Sequence, residues 1–107
     1  MIRKITCITG TRADYPRVRS VLREIKSRKN LQLDIIVTGS HLLENYGFTY
    51  REIEADGFEI DKKISFELDM LDEFSIAQAT VTLTGELVKA LATLKPDLVM
   101  VMGDRYE

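Results

Sequence analysis

The chain has 107 residues, of which 45% are hydrophobic and 30% are charged, a composition typical of one soluble globular domain. Its 15 basic and 17 acidic side chains give a formal net charge of -2, which excludes the strongly positive field that nucleic-acid binding requires. The single cysteine, Cys7, lies in an apolar run and has no disulfide partner, which predicts a core position in a cytoplasmic protein. No segment approaches the roughly 20 apolar residues of a membrane span, so no membrane partner is expected.

The first half of the chain contains two apolar, β-branched runs that each end at a glycine. Residues 4–9 lead to Gly10, and residues 33–38 lead to Gly39, which predicts two buried strands followed by turns. Between them, apolar residues recur with helical spacing. This pattern predicts a helix that begins directly after the first strand, with Asp14 as its N-cap.

A second helix and a third strand are predicted next. Thr49 and Glu52 have the spacing of a capping box, and the helix they start is expected to end at Asp56. Apolar and polar residues then alternate over residues 58–64, which is typical of a short strand near a sheet edge.

A long helix and a fourth strand complete the pattern. Apolar residues at helical spacing predict a helix over residues 72–94 with one apolar stripe. The stripe consists of Ile76, Leu83, Leu87, Leu91 and Leu94, widened by Ala77, Val81 and Val88. Residues 98–102 form an unbroken apolar run, which is typical of a parallel strand covered on both faces.

The predicted order of elements is βαβαβαβ, which indicates an α/β fold with a parallel sheet and right-handed crossovers. The simplest Rossmann-like arrangement has strand order 3-2-1-4, because the chain builds outward from the first strand and then returns to its other side. Ligands of such sheets bind beyond the carboxyl ends of the strands, where this order reverses. We therefore expect the site between the first and fourth strands.

The turn from Gly10 to Asp14 is a candidate anion-binding site. It follows a strand and opens a helix, so its backbone N–H groups and Arg12 could face a diphosphate. The turn matches neither the GxGxxG fingerprint nor a Walker A loop, so neither NAD nor ATP is expected as a cofactor. The alternative is an ordinary strand-to-helix turn with a surface arginine.

Three further polar residues follow strands and are predicted to reach the same edge. Asp104 and Arg105 come after the fourth strand, where a carboxylate could bind a sugar hydroxyl or transfer a proton. His41, the only histidine, follows the second strand, but it lacks the neighbouring ligands of a metal site. Each also has a simpler interpretation as a solvated turn residue.

Three motifs occur in order along the chain: TGTRADY at residues 9–15, VTGSHL at residues 37–42 and MGDRYE at residues 102–107. Together they resemble the UDP-N-acetylglucosamine 2-epimerase family, and in particular its hydrolysing branch. The non-hydrolysing branch usually has histidine in the position of Met102 and lacks arginine after the aspartate. The resemblance spans the whole chain.

This resemblance implies a GT-B-type enzyme in which residues 1–107 are part of the N-terminal Rossmann-like domain and the C-terminal domain is absent from this chain. The parent would be a homo-oligomer that eliminates UDP from UDP-N-acetylglucosamine and adds water, yielding N-acetylmannosamine for sialic-acid or related sugar biosynthesis without a cofactor. Asp104 would be catalytic. The substrate-binding residues would be Gly10, Arg12, His41, Asp104 and Arg105.

Two other interpretations stay open on the sequence. The chain could be a non-catalytic α/β binding module, or half of a GT-B glycosyltransferase that transfers its sugar to an acceptor. Within the epimerase family, the acetamido sugar nucleotide is also undetermined. Because the expected site lies between two domains, the 107-residue chain alone is expected to be inactive.

Overall fold

The computed structural model describes residues 1–10, 14–39, 49–65 and 73–102. These ranges contain four strands and three helices in the predicted alternation. In chain order they are β1 (Arg3–Thr9), α1 (Asp14–Ser27), β2 (Leu31–Thr38), α2 (Tyr50–Ala55), β3 (Lys62–Ile64), α3 (Glu73–Leu94) and β4 (Leu98–Val101).

The four strands form one parallel sheet with the order β3-β2-β1-β4, which confirms the predicted Rossmann-like arrangement. The central strand, β1, pairs with β2 over its whole length and with β4 on its other side. A reciprocal pair of hydrogen bonds holds the start of β4: the Lys4 N–H donates to the Asp97 carboxylate, and the Asp97 N–H donates to the Lys4 carbonyl, both at 2.8 Å. The crossover from β3 thus returns to the far side of β1.

One face of the sheet, here called the α1 face, carries the side chains of Cys7, Ile35 and Val37, and helix α1 packs against it. Because strand side chains alternate between faces, the odd-numbered positions of β1 and β2 share this core. The helix contributes one apolar stripe, as the spacing predicted. The stripe consists of Tyr15, Val18, Leu22 and Ile25, and α2 adds Ile53 to the same core.

The opposite face, here called the α3 face, carries Ile8, Ile36 and Ile64. Helix α3 covers it through its buried residues Ala79, Leu83 and Ala90 and through half-buried leucines toward its C-terminal end. It ends at Leu94, and the next residue, Lys95, has a φ of 50° and precedes Pro96, so the chain leaves the helix in the left-handed conformation. No helix in the described ranges is long and apolar enough to cross a membrane.

The predicted capping box at the start of α2 is not formed. Thr49 occupies the N-cap position, but its φ and ψ of -61° and -11° are already helical and its side chain makes no capping hydrogen bond. A capping side chain normally requires an extended N-cap residue. The backbone carbonyl of Thr49 instead accepts from the Glu52 N–H at 3.0 Å.

The third strand is shorter than predicted. It covers only Lys62–Ile64, because Phe58 turns into the α1-face core and Asp61 forms two hydrogen bonds to Ile35 of β2. The Asp61 N–H donates to the Ile35 carbonyl at 2.9 Å, and the Asp61 carboxylate accepts from the Ile35 N–H at 2.7 Å. The alternation over residues 58–61 therefore belongs to an extended segment that leads into β3.

Two predictions of burial were wrong. Val81 and Val88, placed on the buried stripe of α3, are exposed, as is Ala77. Strand β4, predicted to be covered on both faces, is largely exposed because it forms an edge of the described sheet and α3 contacts β3 at the other edge. An apolar sequence shows which surface could be buried, but the position of the helix determines which surface is covered.

Candidate functional site

Gly10 and Gly39, the residues that directly follow β1 and β2, lie close together at the carboxyl edge of the sheet. Gly39 has a φ of 62°, a left-handed conformation that side chains other than glycine rarely adopt. A Cβ atom placed on Gly39 would lie 2.6 Å from the carbonyl oxygen of Gly10. Glycine at position 39 therefore allows the backbone of the second turn to approach the first.

The end of β4 reaches the same edge on the other side of β1. In the parallel register, Ile8 is paired with Val101, so Thr9 and Met102 are the next residues toward the carboxyl edge. Thr9 is buried and Met102 is half-buried against the α1-face core. The carboxyl ends of β1, β2 and β4 thus lie at one edge of the sheet, as the strand order predicted.

Of the residues predicted for the site, Gly10 is described and is half-buried in this edge. Arg12, His41, Asp104 and Arg105 lie outside the described residues, so their roles stay predictions. The observed geometry provides the strand ends that lead into all four of them. It also adds Gly39, whose position directly after a buried strand was a usable sequence signal.

A polar cluster anchors the helix that follows the Gly10 turn. Tyr15, at the second position of α1, is fully buried, and its hydroxyl donates to the Asp56 carboxylate at 2.5 Å. Burial raises the pKa of Tyr15 to about 12, and the hydrogen bond to Asp56 adds to the rise. Tyr15 therefore stays a neutral donor at physiological pH. No local sequence pattern links Tyr15 to Asp56, because the two residues are 41 positions apart in the chain.

The remaining nucleophile and metal candidates give no site in the described part of the chain. Cys7 is in the core, as predicted, and burial raises its pKa to about 11, so the thiol is protonated at neutral pH. Among the described residues, no group of three His, Cys, Asp or Glu side chains could hold a metal ion. A cavity of about 360 Å³ is lined by Leu31 and Gly57, at the opposite end of β2 from Gly39.

A four-stranded parallel sheet whose order reverses beside the strand that leads to Gly10 defines a Rossmann-like α/β domain with its ligand edge at the carboxyl ends of the strands. The chain belongs to the UDP-N-acetylglucosamine 2-epimerase family, whose family model matches residues 23–107. The match covers the last five residues of α1, the strands β2, β3 and β4 with the helices between them, and the sequence after β4.

Comparison with individual proteins agrees with this family. The chain is 41% identical over 105 residues to the GDP/UDP-N,N'-diacetylbacillosamine 2-epimerase (hydrolyzing) of Campylobacter jejuni, covering 98% of this chain and 27% of that protein. It is 33% identical over 106 residues to the UDP-N-acetylglucosamine 2-epimerase of Neisseria meningitidis, covering 99% of this chain and 27% of that protein. The chain thus spans about a quarter of the length of these relatives.

The fold also matches a solved structure. The crystal structure of UDP-GlcNAc 2-epimerase from Neisseria meningitidis bound to UDP-GlcNAc superposes with a TM-score of 0.76, at 19% sequence identity, over 96% of this chain and 26% of that chain. At this identity the superposition shows a shared fold. The Rossmann-like arrangement is therefore that of an epimerase of this family.

Proposed function

We propose that this chain is the N-terminal part of a longer enzyme, here called the parent enzyme, which is a hydrolysing 2-epimerase of an acetamido sugar nucleotide. The observation that supports the proposal is the strand order β3-β2-β1-β4, because it brings to one edge of the sheet the carboxyl ends of the strands from which the three motifs continue. The substrate is UDP-N-acetylglucosamine, which loses UDP by elimination and takes up water to give N-acetylmannosamine. Sialic-acid or related sugar biosynthesis would use this product.

Each polar residue at this edge has a separate proposed role. Arg12 binds the diphosphate through its planar guanidinium, beside the backbone N–H groups at the start of α1. Asp104 faces the reacting part of the sugar and takes part in proton transfer. His41, Arg105 and the backbone of Gly10 complete the substrate contacts. Because these groups form one side of a cleft between two domains, the 107-residue chain by itself should release no UDP.

The test is product analysis of the parent enzyme with UDP-N-acetylglucosamine and no acceptor. UDP and free N-acetylmannosamine are expected in equal amounts. Asp104→Asn should lower kcat by about a hundredfold or more with little change in KM, because a proton-transfer group acts mainly in the transition state. Unchanged turnover in this variant would remove Asp104 from the mechanism, and sugar transfer only to an added acceptor would indicate a glycosyltransferase.

Arg12 is tested by binding. Arg12→Lys keeps the charge but loses the paired N–H donors, so the dissociation constant of UDP should rise by about tenfold. Arg28→Lys is the matched control, because Arg28 is an exposed arginine that follows the far end of α1 and pairs with Glu24. Equal affinities in the two variants would mean that Arg12 is a surface residue.

The sequence identities to the two relatives named above favour a second candidate substrate. The Campylobacter jejuni relative, named for N,N'-diacetylbacillosamine, is 41% identical to this chain, whereas the Neisseria meningitidis relative, named for N-acetylglucosamine, is 33% identical. Competition between the two UDP-sugars in one reaction would separate the candidates. A higher kcat/KM for the diacetylated sugar would assign the parent enzyme to that substrate with the same reaction type.

We further propose that the parent enzyme is cytoplasmic and homo-oligomeric. Cys7, the only cysteine, is a free thiol in the core, which fits a reducing compartment. Sedimentation of the purified parent enzyme would determine the number of subunits.

A further inference from the structure

Three residues of α1 converge on a single carboxylate. Tyr15, Arg19 and Arg23 are spaced by four residues and so lie on one side of the helix. All three contact Asp56: the Tyr15 hydroxyl donates at 2.5 Å, Arg19 Nε lies 3.2 Å from Oδ2, and an Arg23 terminal nitrogen lies 3.6 Å from Oδ1. The Arg19 guanidinium also lies 5.1 Å from the centre of the Tyr15 ring.

The position of Asp56 makes these contacts informative. Asp56 is the residue directly after α2, where the helix dipole is negative and a carboxylate is unfavourable. The two arginines compensate this charge, and Tyr15 supplies a buried donor that a packing role alone would not need. An aspartate at position 56 is therefore explained by its contacts with α1, since its charge would not stabilise α2.

We propose that Tyr15 and Asp56 are positioning residues that hold the first turn of α1 in the orientation in which its N-terminal end receives the diphosphate. The inference rests on the proposed function. Tyr15 follows Asp14, the first residue of α1, so a displacement of its side chain moves the backbone at the start of the helix. A misplacement of about 1 Å in such a group can lower a rate by about a hundredfold.

Hydrogen exchange tests the mechanical part of this proposal without any substrate. In α1 the amides of Val18 and Arg19 donate to the carbonyls of Asp14 and Tyr15, so their protection reports on the first turn. Tyr15→Phe in the parent enzyme removes one hydroxyl and keeps the buried ring, and it should speed exchange of these amides by about tenfold. The amides of Ile36 and Val37 in β2 should be unaffected.

Substrate kinetics test the functional part. Tyr15→Phe and Asp56→Asn should each raise the KM for the sugar nucleotide by about tenfold, with a smaller change in kcat, because both displace a binding group. The effects of the two changes should be less than additive in the double variant, because both weaken the same contact between Tyr15 and Asp56. Tyr50→Phe is the matched control, because the ring at position 50 keeps its contact with Lys63.

The possible outcomes separate the two proposals. Unchanged exchange at Val18 and Arg19 overturns the positioning role, and so does faster exchange with an unchanged KM, which would leave a structural contact only. If the wild-type parent enzyme neither binds nor converts any UDP-sugar, the proposed function fails while the exchange measurement still decides whether the contact holds the turn. Arg23→Gln, which changes a largely exposed residue, repeats the test if Asp56→Asn does not fold.

Discussion

On the α1 face of the sheet, Leu22 and Ile53 are fully buried, whereas on the α3 side Val88 remains 63% exposed. Both α1 and α3 carry apolar residues at helical spacing. The α1 face is closed by two helices that are linked through Asp56, while α3 covers its sheet face with one narrow stripe. Among the described residues, apolar burial is therefore concentrated on the α1 face.

The two flanks of α3 differ in the same way. Glu86 and Thr93 line a cavity of about 180 Å³ next to Lys62 of β3. Because each residue turns a helix by about 100°, Val81 and Val88 lie on the other flank. In the parallel register, Val101 shares the α3 face with Ile8 and is 65% exposed. This flank and β4 together leave an apolar surface that contributes little to stability in the described part of the chain.

Truncation of one side chain on each side gives the largest expected difference. Leu22→Ala should lower the free energy of unfolding by about 2–5 kcal/mol, because it opens a cavity in a closed core. Val88→Ala should change it by no more than about 0.5 kcal/mol, because the side chain is largely solvated and alanine favours a helix. Urea unfolding of both variants measures the difference, and similar losses would show that the two sides are equally packed.

Two glycines extend the comparison to the backbone. Gly39→Ala should cost about 1–3 kcal/mol, because the new Cβ would meet the Gly10 carbonyl at 2.6 Å and the φ of 62° is strained for alanine. Gly85→Ala is the matched control: it lies within α3 with no atom within 4 Å of the added Cβ, so it should stabilise by up to about 1 kcal/mol. Thermal unfolding of the pair compares them, and a neutral Gly39→Ala would contradict the close approach of the two turns.

Periodicity predicted the elements and the strand order because both depend on local pattern and on the handedness of crossovers. It could not predict which apolar surface is covered. The run in β4 reads the same whether or not a neighbour covers it, and Val81 sits at a spacing that widens the stripe of α3 without facing the sheet. Coverage depends on tertiary packing.

The residues of the candidate site also differ in whether the sequence could predict their positions. Gly10 and Gly39 could be assigned to one edge because each follows a strand and the strands were predicted to be neighbours. The Tyr15 and Asp56 pair could not be predicted, since a tyrosine beside a turn has no sequence feature that distinguishes a hydrogen-bonding role from packing. The capping box failed because a matching sequence does not fix the backbone angles of Thr49.

The smallest expected effect concerns Asp61, which directly precedes β3 and lines both of the cavities described above. Partial burial raises the pKa of Asp61, and Asp34 and Glu59 add to the rise, while the Ile35 N–H opposes it. A raised pKa means that the folded state favours the protonated form. The stability from this preference is present below the ordinary pKa and is lost as the pH rises through the raised value.

Asp61→Asn removes the titration and keeps an oxygen acceptor for the Ile35 N–H, so wild type should lose stability relative to the variant between acidic and neutral pH. At neutral pH the two should differ by no more than about 0.5 kcal/mol. Urea midpoints measured across this range test the sign, and a wild type that gains on the variant as the pH rises would show that the Ile35 hydrogen bond outweighs burial.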